Sequence, residues 1–177
     1  MPKLAIVFFL FLVGCESSKA QSLSISGATW LPTISTVTEA GSDYSASTLT
    51  SASNQSLLSV TMPTLFFILL IVNNHYTVQV KSINSGASWS AAGLKIYAKR
   101  TGNGSGGGSA LLGISDISGG NATFQELTSS DAYFFEGNNY GTSPRSGIPI
   151  QFQITGVSVL APVANYSTSI IFTLTDD

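Results

Sequence analysis

Period-two alternation of apolar and polar residues governs this sequence. Tyr76, Val78 and Val80 alternate with Thr77, Gln79 and Lys81. Leu94, Ile96 and Ala98 alternate with Lys95, Tyr97 and Lys99. Ile148, Ile150, Phe152 and Ile154 alternate with Pro149, Gln151 and Gln153. Near the C-terminus Tyr166, Ile170, Phe172 and Leu174 share one parity, opposed by Ser167, Ser169, Thr173 and Thr175. Successive strand side chains point to opposite faces, so each segment gives one face to a core and one to water. After Gln21 no comparable stretch has a helical period. The chain is therefore expected to be all-β. Further strands are expected at Leu23–Thr29, Ser56–Met62, Leu65–Val72 and Thr123–Leu127. The run Leu65–Val72 is apolar on both parities, which fits a central strand buried on both faces or a strand with one face left for a partner chain.

Turn chemistry separates these runs. Asn73-Asn74 suits a tight hairpin. Gly102–Ser109 reads as a flexible hairpin connection, and Asn138 through Gly147 as a second loop. Many short strands with Gly, Asn and Ser between them imply a predominantly antiparallel β-sandwich. No repeat or second domain is visible, so residues 21–177 are expected to form one domain.

Residues 1–20 have the form of a secretory signal peptide. Lys3 precedes an apolar run from Leu4 to Val13, too short for a helical membrane span, which needs roughly 20 residues. Two processing readings stand. Ser18-Lys19-Ala20 before Gln21 fits signal-peptidase cleavage after Ala20. Leu12-Val13-Gly14-Cys15 resembles a bacterial lipobox, with the signal ending at residue 14 and Cys15 lipidated. That lipid would be the route to a membrane. Cys15 is the sole cysteine, so cleavage after Ala20 leaves no thiol chemistry.

Composition narrows the function classes. Only 9% of the chain is charged, with a net charge of −2. There is no basic stripe, which disfavours nucleic acid as a partner. A hydrophobic fraction of 44% argues against disorder. An uncharged surface rich in Ser, Thr and Asn fits an extracellular or cell-surface protein.

No catalytic, metal or cofactor site emerges. His75 is the sole histidine and is expected at an exposed turn. No Gly-x-Ser-x-Gly elbow accompanies it. Glu39 with Asp43, and Asp131 with Glu136, flank Gly-containing turns without the dense spacing of a calcium loop. Turn capping is the simpler account of both pairs. Gly102–Gly108 lacks the Lys-Ser/Thr ending of a P-loop. Asn54, Asn103, Asn121 and Asn165 head N-glycosylation patterns, which chance supplies in so Asn- and Ser-rich a chain. Tyr133-Phe134-Phe135, Tyr140, Trp30 and Trp89 are either core or sugar-stacking rings. Large aromatics are mostly buried, and Trp89 and Tyr140 are the candidate glycan contacts.

The C-terminal third carries a resemblance. Ile148-Pro149-Ile150-Gln151-Phe152 is followed by Gly156-Val157-Ser158-Val159. Then Ala161-Pro162-Val163-Ala164-Asn165-Tyr166-Ser167 leads into the alternating run to Thr175. This is similar to the ending of bacterial pilin-like secreted proteins of the spore-coat-U and fimbrial-subunit type, with Asn165 where their turn usually has Gly. The resemblance implies an immunoglobulin-like sandwich whose missing strand is supplied by a neighbour's N-terminal extension. Leu23 and Ile25 are the candidate donor or edge strand, pairing within their own chain or with another copy. The expected function is a secreted or surface-exposed structural or adhesive protein, a pilus or filament subunit. Its partners would be copies of itself or related subunits. The alternative is a carbohydrate-binding module for surface glycans. In either case Ile170, Phe172 and Leu174 are expected to point into the core, with Ile171 on the outer face or under a loop.

Overall fold

The computed structural model describes residues 21–33, 48–62, 73–108, 115–140, 143–158, 161 and 164–176. The expected strand Leu65–Val72, the Glu39/Asp43 pair and the signal segment with Cys15 lie outside the described residues. The strands are β1 (Ser22–Gly27), β2 (Leu49–Thr50), β3 (Ser56–Thr61), β4 (Asn73–Gly86), β5 (Lys95–Arg100) and β6 (Ser105–Gly106), followed by β7 (Ile117–Ser118), β8 (Gln125–Glu126), β9 (Ala132–Tyr140), β10 (Arg145–Thr155) and β11 (Tyr166–Asp176). They form two antiparallel sheets, ordered β1-β3-β10-β5-β8, with β2 and β6 also on β10, and β11-β4-β9-β7. Among the described residues there is no helix. The chain is an all-β sandwich, as the alternation requires.

The core is built from one parity of each long strand. Leu58 and Val60 of β3, Tyr76, Val78 and Val80 of β4, Ile96 and Ala98 of β5, and Ile148, Ile150, Phe152 and Ile154 of β10 are all buried. Burying each large side chain is worth about 1.5–3 kcal/mol, and a one-residue slip would move a whole set to solvent, so these residues fix the register.

β10 is the organising strand of the first sheet. One flank pairs with β3 and then β2, the other with β6 and then β5. Gly102–Gly108 is thus not a hairpin connection. Residues 101–104 form an excursion between β5 and β6, which pair with the same flank of β10. A bulge between Arg145 and Ile148, with Gly147 at φ 69°, flips the parity of β10. Arg145 consequently shares the core face with Ile148. A second bulge opposite Val78 and Gln79 lets adjacent Phe134 and Phe135 both enter the core, where they are 1% and 0% exposed.

Asn73 and Asn74 are not a hairpin turn, nor are Asn138–Tyr140 a loop. They are paired strand residues of β4 and β9. The Asn138 amide donates to Asn73 Oδ1 at 2.9 Å, so side chains that usually favour turns stitch two strands here. His75 accordingly lies in β4, exposed and opposite Asn138, rather than at a turn.

β11 occupies the edge of the second sheet. Ile170, Phe172 and Leu174 pack against the core but remain half-buried, because no second described strand flanks them. The Phe172 ring lies 5.9 Å from that of Phe134. Ile171 faces the other way, opposite Lys81.

Candidate functional site

The two lateral sides of the sandwich differ. On one, the edges are β7 and β8, each two residues long. The Gln125 amide of β8 donates to Tyr133 O of β9 at 2.9 Å, tying the sheets together. The opposite side carries the edges β1 and β11, of six and eleven residues, which approach each other without a ladder between them.

Among the described residues this β1/β11 side is open. β1 pairs with β3 of its own chain, placing Leu23 opposite Val60 and Ile25 opposite Leu58. Directly paired residues point to the same face, so both side chains share the core face with two fully buried residues. Leu23 packs against the core, yet Ile25 is 55% exposed. An apolar side chain on the core face therefore lies uncovered between the edge strands. Along Ser167–Thr175 of β11, no described strand pairs with the outer flank. The strand has no Lys, Arg or Pro, the residues that usually blunt an edge.

A buried polar cluster braces one end of the sandwich. Arg100 shares the inward parity of Ile96 and Ala98 and is 1% exposed; Arg145 is 5% exposed. No carboxylate neutralises either by an ion pair among the described residues. Arg100 donates to Gly119 O at 2.9 Å, to Gly102 O at 3.1 Å and to Asn103 Oδ1. Arg145 donates to Asn103 O at 2.6 Å and to Ser115 O and Oγ at 2.5 and 2.8 Å. Removal from water, and then the neighbouring Arg145, lower the pKa of Arg100. The two guanidinium groups satisfy carbonyls of loops that have no ladder of their own. Their one signal in the sequence is the parity of Arg100, which continues that of Ile96 and Ala98. Beside them Tyr76 is fully buried, and its hydroxyl has no hydrogen-bond partner. Burial pushes its pKa up to about 12, against the lowering pull of Arg145 and Arg100.

The remaining candidates are dispersed. Trp89 is 5% exposed and its Nε1 donates to Ser167 O at 3.0 Å, so the ring presents no stacking face. Tyr140 is half-buried at the end of β9. Asp131 and Glu136 do not flank a turn: Asp131 pairs with Lys81 at 2.8 Å, while Glu136 lies within β9 and accepts from Ser118 at 3.0 Å. Among the described residues, no three His, Cys, Asp or Glu side chains are grouped to hold a metal ion, and no helix is long and apolar enough to cross a membrane.

No protein-family model matches this chain, and comparison with curated proteins and with solved structures gives no match either.

Proposed function

We propose that this chain is an exported structural or adhesive protein, a filament subunit that joins copies of itself by strand complementation along the β1/β11 side. The supporting observation is the eleven-residue edge strand β11 beside an uncovered, core-facing Ile25. An extended segment laid along such an edge gains main-chain hydrogen bonds from the strand and apolar contacts from the slot. The reading includes the immunoglobulin-like topology, the pilin resemblance and a non-enzymatic role. Export to the outside or cell surface follows from the signal-like residues 1–20. Strand addition from a second copy leaves the described pairing of β1 with β3 in place.

Sedimentation velocity across a wide concentration range, with negative-stain microscopy, tests the assembly. The expected result is concentration-dependent association that Ile25→Lys abolishes. Ile25 is already 55% exposed, so the variant monomer should melt within about 0.5 kcal/mol of the parent. A monodisperse monomer at every concentration overturns the proposal.

A further inference from the structure

We propose that the cleft beside β7 binds one ring of an uncharged, hydroxyl-rich chain, a glycan, with Tyr133 as the flat surface at its rim. The cleft measures ≈ 240 Å³ and is lined by His75, Asp116, Ser118, Glu136 and Asn138 over the backbone of Gly137. It belongs to the β7 edge, across the sheet from β11, so it is independent of self-association. Pockets for drug-sized ligands run to roughly 300–1,000 Å³, so this one suits a single ring of a longer chain.

Its polar groups are held in place before any ligand arrives. The Asp116 backbone N–H donates to Asn138 Oδ1 at 2.6 Å, and the Ile117 N–H to Asp116 Oδ1 at 2.8 Å. Asn138 in turn donates to Asn73. Ser118 Oγ donates to Glu136 Oε1. These bonds use one oxygen of each carboxylate. Carboxylate oxygens only accept, so a ligand that meets Asp116 or Glu136 must bring donors. Two carboxylates disfavour an anion. Among the described residues His75, Asp116 and Glu136 are not grouped to hold a metal ion. Hydroxyl groups are the neutral donors that a sugar ring presents beside its apolar C–H face.

Tyr133 supplies the apolar contact. The β9 bulge that sends Phe134 and Phe135 inward leaves Tyr133 outside, 47% exposed. Its hydroxyl lies against Gly119, the neighbour of Ser118 in the cleft wall. A half-exposed ring beside carboxylate acceptors offers stacking for the C–H face of a sugar and hydrogen bonds for its hydroxyls.

The test is a glycan microarray of neutral oligosaccharides, followed by titration calorimetry on the best binder, with Tyr133→Ala and the isosteric Glu136→Gln. Both variants should keep the parent's melting temperature and lose at least about tenfold in affinity. Chelator should have no effect. Absence of binding across the array, binding unchanged in both variants, binding abolished by chelator, or capture of amine-bearing probes alone would each overturn the proposal.

Discussion

Tyr76→Phe should stabilise the protein, although it deletes a polar group from a well-packed core. Tyr76 is 0% exposed and its hydroxyl has no partner. Leaving a buried hydroxyl unsatisfied costs about 1–3 kcal/mol. Phenylalanine keeps the ring and its packing. The gain should be about 1 kcal/mol or more, a rise in Tm of roughly 2–4 °C per kcal/mol for a chain of this size. The same hydroxyl adds a pH dependence. The folded state holds the phenol neutral up to about 12, against an ordinary value of 10.0. The unfolded chain ionises first, so this contribution is complete below pH 10 and is lost as pH rises towards 12. A rise from 10.0 to about 12 corresponds to roughly 3 kcal/mol. Urea denaturation of both proteins at neutral pH and across the alkaline range measures each effect. The expected result is a higher midpoint for Tyr76→Phe with an unchanged m value, and a gap over the parent that widens above pH 10. A lower midpoint for the variant at neutral pH would mean that Tyr76 Oη makes a bond, to an ordered water for example, and the reasoning would fail.

Gly137→Ala should cost about 1–3 kcal/mol, because its Cβ would meet Tyr76 Oη at 2.5 Å and Cζ at 2.7 Å; thermal melts check this, and combining it with Tyr76→Phe should recover part of the loss. Phe172→Asp should cost about 3 kcal/mol, since a charge replaces a ring packed against Phe134, whereas Ile171→Thr on the outer face should change stability by less than about 1 kcal/mol. Equal melting temperatures for those two variants would contradict the register of β11 against β4.

How much of this was legible in the sequence depends on whether a side chain's role is fixed by its own strand. Alternation in 76–80, 94–98, 148–154 and 166–174 named the core because parity is a local property. The half-burial of Ile170, Phe172 and Leu174 was not legible, since it depends on β11 being an edge. Bulges break parity, and neither was visible. Phe134 and Phe135 could not both have been placed inward from an unbroken strand. Asn73, Asn74, Asn138 and Asn139 have turn propensity, but cross-strand amide bonds overrode it, as tertiary context often does for strands. The cleft was the least legible feature. Asp116 and Glu136 are far apart in sequence, and β7 has only two residues, too short to carry a period. Tyr133 was noticed only as part of an aromatic triplet.

The same physics allows the two proposed binding surfaces to share so weakly charged a chain. The inner faces are committed to the core except at Ile25, and Arg100 and Arg145 are buried as braces rather than displayed. What remains outward is a sheet edge and a polar face. An edge uncharged from Tyr166 to Thr175 can accept a strand because no Lys or Pro opposes it, and its specificity must then come from the apolar slot at Ile25. The outer face of the second sheet carries Thr77, Gln79, Thr173 and Thr175 in register, and its Lys81 is paired with Asp131, so it imposes little charge preference. Any selectivity there must come from the positioned oxygens of Asp116 and Glu136 and from the Tyr133 ring. Chemistry that discriminates is thus confined to the β7 end, while the β11 end offers shape and backbone. A partner that recognises one has no contact with the other, so Ile25→Lys should leave glycan binding intact and Glu136→Gln should leave association intact. Loss of both properties in either single variant would show that the two surfaces are one.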